Sequence, residues 1–283
     1  MVEPRPAVAT IGFVDDYCNY YQELFSDVRN FEAFKFLHIG MIAELPRKSL
    51  PAIARSVGLT NAQSLHNFLQ NAPWQVEDLR ARRLGLIKQL IGARSIVLCI
   101  DETGDKKAGK TTDYVAKQYI GNLGKTANGI VSVNAYAVVD GITYPLVFKV
   151  FKPRTELQAG DAYKTKPELA VEILQELQAW NFQIELVLAD SLYGESGNVI
   201  SVLEGFKLPF IVAIRSNHGV LVGPGQKVRY NRSRVPTFNH SPIDNLKRAT
   251  SGKLSLVKPV RFAITKSVKQ IAQSRNPLKP GSL

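Results

Sequence analysis

Apolar residues recur every three or four positions from Phe13 to about Leu90, as in FEAFKFLHIGMIAEL and VEDLRARRLGLIKQL, with few β-branched runs between them. A period near 3.6 predicts amphipathic helices, and so an all-α region over residues 1–93. Inside it, KSLPAIARSVGLTNAQSLHNFLQNAPW reads as a short helix, a turn at Gly58 and Leu59, and a second helix opened by Thr60 or Asn61 as N-cap. That is helix-turn-helix grammar. The second helix would turn Asn61, Gln63, Ser64, His66 and Asn67 outward, all able to hydrogen-bond base edges, with Leu65 and Phe68 inward. A plain helical hairpin with a polar solvent face fits the same pattern equally well.

Near Ser95 the period changes, and a boundary falls at Gly92 to Arg94. SIVLCID is a continuous apolar, β-rich run of the kind found in the middle of a sheet. GIVSVNAYAVVDGITYPLVFKVF reads as two strands joined at Asp140-Gly141, and KPELAVEILQELQAW as a helix. IELVLAD and LPFIVAIR follow as strands, with a short helix near Ser196 to Glu204 between them. Three successive strands and then helix-strand crossovers predict an α/β domain over residues 94–232, an RNase H-like mixed sheet with flanking helices. Residues 233–283 have no sustained period and are rich in Ser, Asn, Pro and Lys, which predicts a poorly ordered tail with at most a strand near KLSLVKPVRFAI.

Charge then narrows the partner. The chain has 36 Lys and Arg against 24 Asp and Glu, a net charge of +12, which favours a polyanion bound through its phosphates. After Glu204 the sole acidic side chain is Asp244, among fifteen Lys and Arg, so the end of the chain is a basic arm. With 45% hydrophobic residues in 283, there is enough apolar material for a core. No run approaches the roughly 18 to 20 apolar residues needed to cross a bilayer, and Glu3, Asp15, Asp16 and Asp27 stand where a signal peptide would be apolar, so no membrane is expected and the cytoplasm is the default compartment. Cys18 and Cys99 lie far apart without histidine spacing, which suggests buried thiols, with neither zinc nor a disulfide framework.

Two carboxylates close apolar strands: Asp101 ends SIVLCID and Asp190 ends IELVLAD. Ligands bind at the carboxyl ends of adjacent strands in an open α/β sheet. Like charges held side by side and partly desolvated raise one another's pKa, and a hard divalent ion such as Mg²⁺ or Mn²⁺ relieves that repulsion. Two such ions about 3.5–4 Å apart would activate the attacking oxygen and stabilise the leaving one in phosphodiester chemistry. A lone strand-end aspartate is more often a turn residue or N-cap; the pair, in this strand order on a basic protein, is what points to metal.

IDETGDKKAGKTTDYVAKQYIGNLGK, GIVSVNAYAVVDGITYPLVFKVFKP and LVLADSLYGES resemble the catalytic domain of DDE-superfamily insertion-sequence transposases, in particular the insertion sequence 701 group, related to the insertion sequence 4 group. The resemblance runs from about Phe31 to about Arg232. It implies a nuclease core behind a helical DNA-binding region, with three acids holding a two-metal Mg²⁺ or Mn²⁺ site for DNA strand cleavage and transfer. Asp101 matches the first acid and Asp190 the second, 190 − 101 = 89 residues apart. The implied partner is double-stranded DNA, both transposon terminal repeats and target, and a homodimer on DNA is compatible with it. Lys106, Lys107, Lys110, Lys117 and Arg154 surround the proposed metal edge in sequence as candidate phosphate contacts. Arg215 and His218, with Asn217, close the last strand, a position that again faces the site, and join these as candidate DNA contacts. Glu102 should alternate to the opposite face and support Asp101 indirectly, and Tyr193 is expected to be a packed aromatic. The family's third acid, a glutamate on a later helix, has no counterpart here. The resemblance therefore implies a C-terminally truncated chain with an out-of-frame tail after Arg232 and impaired strand transfer. The alternative is a non-catalytic fragment that binds transposon ends and regulates transposition; a cytoplasmic nuclease of repair or RNA processing shares the metal logic.

Overall fold

A computed structural model describes residues 5–109 and 112–215. Lys110, His218 and the tail lie outside the described residues. The described chain falls into two compact units that divide between Gly92 and Ala93.

The first unit is helical, as its period predicts. Helices α1 (Gly12–Asn19), α2 (Val28–Ile42), α3 (Leu50–Ser56), α4 (Gln63–Asn71) and α5 (Val76–Ile91) follow one another through short loops. Phe31, Phe34, Ile53, Leu65 and Phe68 form its core, each less than a tenth exposed. At the crossing of α2 and α3 a Cβ on Gly40 would run into the Ile53 side chain, so the close approach needs glycine. Two charges are buried on α2, and both are answered. Glu32 takes two hydrogen bonds from Arg5 at 2.7 and 2.8 Å and one from the Val8 amide. Lys35 is 3% exposed; its ammonium lies 2.6 Å from Asp15 and donates to the Val8 carbonyl at 2.6 Å. These contacts strap the extended segment before α1 along α2. The turn between α3 and α4 uses Gly58 at φ +77°, a left-handed conformation that costs glycine nothing. The N-cap of α4 is Ala62, not Thr60 or Asn61. Asn61 still serves this end, because its side-chain oxygen accepts from the Gln63 amide at 2.9 Å.

The second unit is built on a mixed six-stranded sheet. Its strands are β1 (Ile96–Lys106), β2 (Ala116–Ile120), β3 (Lys125–Val139), β4 (Ile142–Val150), β5 (Ile184–Ala189) and β6 (Phe210–Val212). β3 pairs antiparallel with β1, β4 and β2, while β1–β5 and β5–β6 are parallel. The order β4-β3-β1-β5-β6 is the RNase H-like order expected from three hairpin strands followed by crossovers. Asp140 (φ +50°) and Gly141 (φ +80°) make the β3–β4 turn with both central residues left-handed, which matches strand twist. Helix α6 (Lys166–Ala179) crosses from β4 to β5, and the one-turn helix α7 (Ser191–Gly194) with α8 (Gly197–Gly205) crosses from β5 to β6.

Alternation along the strands sets the core. Ile96, Leu98 and Ile100 of β1 and Val133 and Ala137 of β3 are fully buried on one face. The buried side of α6, Leu169, Ala170, Ile173, Leu174 and Leu177, covers that face at β3 and β4. Each large aliphatic side chain so buried contributes about 1.5–3 kcal/mol. Val97 and Cys99 point the other way and are half-buried. Two features departed from the pattern. β1 does not end at Asp101 but runs to Lys106, and with the long β3 and the added strand β2 it forms an arm past the sheet. KQYIGNLGK, polar and with two glycines, lacks the apolar alternation that would have announced β2.

Candidate active site

The site is set by where the parallel pairing stops. β1 and β5 stay in register from Val97↔Leu186 to Ile100↔Ala189, and β5 then ends. Asp101 and Asp190 are the next residues on the two chains. Asp101 is therefore not at the end of its own strand, as the sequence suggested, but at the end of its neighbour. β1 continues against β3, with Asp101 opposite Asn134, and among the described residues no strand pairs with its β5 side from this residue onward. Alternation puts the positions of Asp101 and Asp190 on the face of Cys99 and Leu188, opposite to the face that buries Ile100 and Ala189.

Local structure fixes both carboxylates. Asp190 is the N-cap of α7, its Oδ1 accepting from the Leu192 amide at 2.9 Å, while the Gly194 amide returns to the Asp190 carbonyl at 2.9 Å. Asp101 Oδ1 accepts from the Glu102 amide at 2.8 Å. Burial, and to a lesser degree the negative charge of Asp101, push the Asp190 carboxyl above its ordinary value. The charge of Asp101 therefore reaches Asp190 across the strand gap.

The surroundings add charge of both signs. Glu102 faces α6, where its two carboxylate oxygens each lie 3.0 Å from the Lys166 ammonium. Burial raises its pKa; Lys166 opposes that, and Asp190 and Asp101 add to it. Tyr193 is wholly buried, as expected of a packed aromatic, and its hydroxyl pKa is raised by burial and by Glu102, Asp190 and Asp101. Gly194 lets α7 lie flat on the end of β6: an added Cβ would overlap the Ala213 carbonyl oxygen and sit 3.0 Å from Val212 Cβ.

The remaining candidates separate. Lys106 and Lys107 lie at the tip of β1 and Lys117 on β2, beyond the aspartates along the arm; Lys106 and Lys117 are exposed, and the half-buried Lys107 pairs with Asp105 at 2.5 Å. Arg154 is exposed and stands over the Tyr163 ring at 4.4 Å. Arg215 is committed to Glu195, to which its guanidinium donates and whose Oε1 also accepts from the Arg215 amide at 2.9 Å. In the helical unit, Asn61, Gln63, Ser64, His66 and Asn67 are all exposed, and Gln63 donates to Asn67 at 2.8 Å. Sequence reasoning missed Lys166 and Gly194. A lysine directly behind a Thr cap stands at the positive end of a helix, where acids are the rule, and that misplaced charge was a readable signal.

Two half-buried carboxylates at one sheet edge form an oxygen donor set suited to a hard divalent ion that keeps several waters. Among the described residues no third His, Cys, Asp or Glu joins them in a ligating group.

An RNase H-like sheet that brings two acids to the carboxyl edge of neighbouring parallel strands defines a class of nuclease-type folds. The sequence model for DDE superfamily endonucleases matches residues 19–261, and the chain belongs to that family. The match passes Arg232, where the resemblance in the sequence had seemed to end, so the stretch up to residue 261 is not foreign to the family. A probable transposase for insertion sequence element IS701 from Microchaete diplosiphon is 60% identical over 231 residues, which cover 81% of this chain and 61% of that protein. The chain thus spans about three fifths of that relative's length. Among solved structures, the Drosophila P element transposase strand transfer complex aligns with a TM-score of 0.33 and 11% identity over 72% of this chain and 48% of that one. No helix among the described residues is long and apolar enough to cross a membrane.

Proposed function

We propose that the chain carries the catalytic edge of an insertion-sequence transposase, acting on the phosphodiester bonds of double-stranded DNA at the ends of its element. The observation that carries this is the matched position of Asp101 and Asp190, one residue past the last paired register of two parallel strands. Family membership and the IS701 relative support the substrate class.

In this reading Asp101 and Asp190 are the ligands, holding Mg²⁺ or Mn²⁺ through carboxylate oxygens. Bound there, the ion would supply Lewis-acid polarisation of a phosphate oxygen and would offset the charge that develops on the attacking and leaving oxygens. Asp190 is held for this by capping α7, and Asp101 by the amide of Glu102. The DNA backbone would lie along the β5 side of β1 past Ile100, where no described strand pairs. The exposed residues Asn61, Gln63, His66 and Asn67 read the terminal repeat, and Lys106, Lys107 and Lys117 on the arm contact phosphates.

Cleavage of a duplex bearing the element's ends, in Mg²⁺ and in Mn²⁺, tests the proposal. Nicking is expected at the element boundary and is expected to disappear in both Asp101→Asn and Asp190→Asn; nicking that survives either change refutes it. A second reading, end binding without cleavage, is favoured by the wholly uncharged outer face of α4. It would show as specific binding that is lost on substituting Asn67 and indifferent to Asp101, with no nicking.

A further inference from the structure

Lys166 is the first residue of α6, directly after Thr165, whose side chain accepts from the Glu168 amide while Glu168 returns to the Thr165 amide. This reciprocal cap fixes the helix start, and with it the place of the lysine. A cation there opposes the helix dipole, so nothing in the helix itself favours the choice. What favours it lies across the sheet end. The ammonium is 3.0 Å from each carboxylate oxygen of Glu102 and 5.5 Å from the centre of the Phe151 ring, with 18% of the lysine side chain and 23% of the Glu102 side chain exposed. An ion pair this far out of water is held in one geometry and is weakly screened.

The negative groups around it exceed one. Glu102 follows Asp101 directly and its amide donates to Asp101 Oδ1 at 2.8 Å, so the ion pair with Lys166 stands one residue from a proposed metal ligand; the lysine's charge also opposes the upward pull of burial on Glu102 and Asp190. Among the described residues Asp101 forms no ion pair that would share this task. Three carboxylates at one sheet end need a positive charge whether or not a divalent ion is there.

Resting on the metal reading of the site, we propose that Lys166 is its tethered counter-cation. It fixes Glu102 and offsets Asp190 before a metal ion arrives, and it competes with that ion for the same negative field. Lys166 is a positioning residue on this view, and it sets how tightly the site takes metal.

The test is thermal unfolding of the full chain in chelator, with Mn²⁺ titration of the same proteins by calorimetry. Lys166→Met should lower the unfolding temperature in chelator and tighten Mn²⁺ binding about 3- to 10-fold, since a like charge has left the site. Lys166→Arg should restore both toward wild type. Adding Glu102→Gln to Lys166→Met should recover part of the lost stability, because the carboxylate left without its partner is then neutral; this double variant also serves if Lys166→Met alone does not fold. A purely structural lysine would lower stability and weaken Mn²⁺ binding together, and that result overturns the proposal, as does unchanged stability in chelator. A wild-type chain that takes no Mn²⁺ refutes the metal reading itself and the competition with it, whereas wild-type binding with an unaltered affinity in Lys166→Met refutes only the role of Lys166.

Discussion

Gly194→Ala is a one-carbon change that the structure says the site cannot absorb. Gly194 ends the single turn that Asp190 caps, and its α-carbon lies against the chain leaving β6. A methyl group there would overlap the Ala213 carbonyl oxygen and meet Val212 Cβ at 3.0 Å. Neither obstacle is the free end of a flexible side chain: Ala213 is anchored through its amide to the Ala189 carbonyl at 3.1 Å, immediately before Asp190. α7 must therefore lift by an amount on the order of 1 Å, and overpacking of this kind costs about 1–3 kcal/mol. Because the Gly194 amide is bonded to the Asp190 carbonyl, the lift carries the carboxylate with it. A displacement of about 1 Å at a reacting centre costs on the order of 100-fold in rate. Denaturant unfolding should show the stability loss, and nicking of end-bearing duplex in Mg²⁺ should fall by the larger factor, while DNA binding by the helical unit stays unchanged. A Gly194→Ala protein with wild-type stability and nicking would show that the contact between α7 and β6 does not position Asp190.

Three further outcomes are expected. Asp190→Asn keeps the N-cap but removes a carboxylate whose pKa is raised in the fold. A raised carboxyl pKa means that the stability this group contributes is present below about pH 4, its unfolded value, and is lost as pH rises through the folded value. Without divalent metal the variant should thus be more stable than wild type near pH 7 and equal to it below about pH 4; thermal unfolding across pH 3–8 measures this, and a constant difference would contradict it. Lys35→Met leaves the Asp15 carboxylate and the Val8 carbonyl without their buried partner and should cost about 3 kcal/mol in denaturant unfolding. A loss under about 1 kcal/mol would show that the strap on α2 holds by other means. Asn67→Ala on the outer face of α4 should weaken binding to the element's end by about 1–3 kcal/mol and leave binding to unrelated duplex unchanged, as read by fluorescence anisotropy; equal losses on both duplexes would remove base readout from this helix.

Much of the fold was legible because burial imposes a period. The helical unit announces itself in FEAFKFLHIGMIAEL, and the sheet order follows from three apolar runs, a left-handed Asp140-Gly141 turn and a capped helix between β4 and β5. Asp101 and Asp190 were legible for the same reason: an acid directly after a run of buried aliphatic residues is costly and so conspicuous. The extent of β1 was not. Past Ile100 it pairs with β3, Glu102 turns to Lys166 of α6 and the buried Gly104 lies against Ile120 of β2, while Thr103, Asp105 and Lys106 face solvent, so no apolar period marks ETGDK. Ala62, and not Asn61, at the N-cap of α4 reflects competition between two local hydrogen-bonding options, which side-chain pattern does not rank. Gly194 and Lys166 depend on contacts with chain 19 and 64 residues away, and such contacts appear once the sheet has closed.

The claim on which the function rests is that Asp101 and Asp190 share a divalent ion. Electron paramagnetic resonance of Mn²⁺ added to the chain measures this directly. Wild type is expected to immobilise Mn²⁺ at millimolar concentration or below, and Asp101→Asn and Asp190→Asn are each expected to lose that signal. Mn²⁺ held equally by wild type and both variants would contradict the claim.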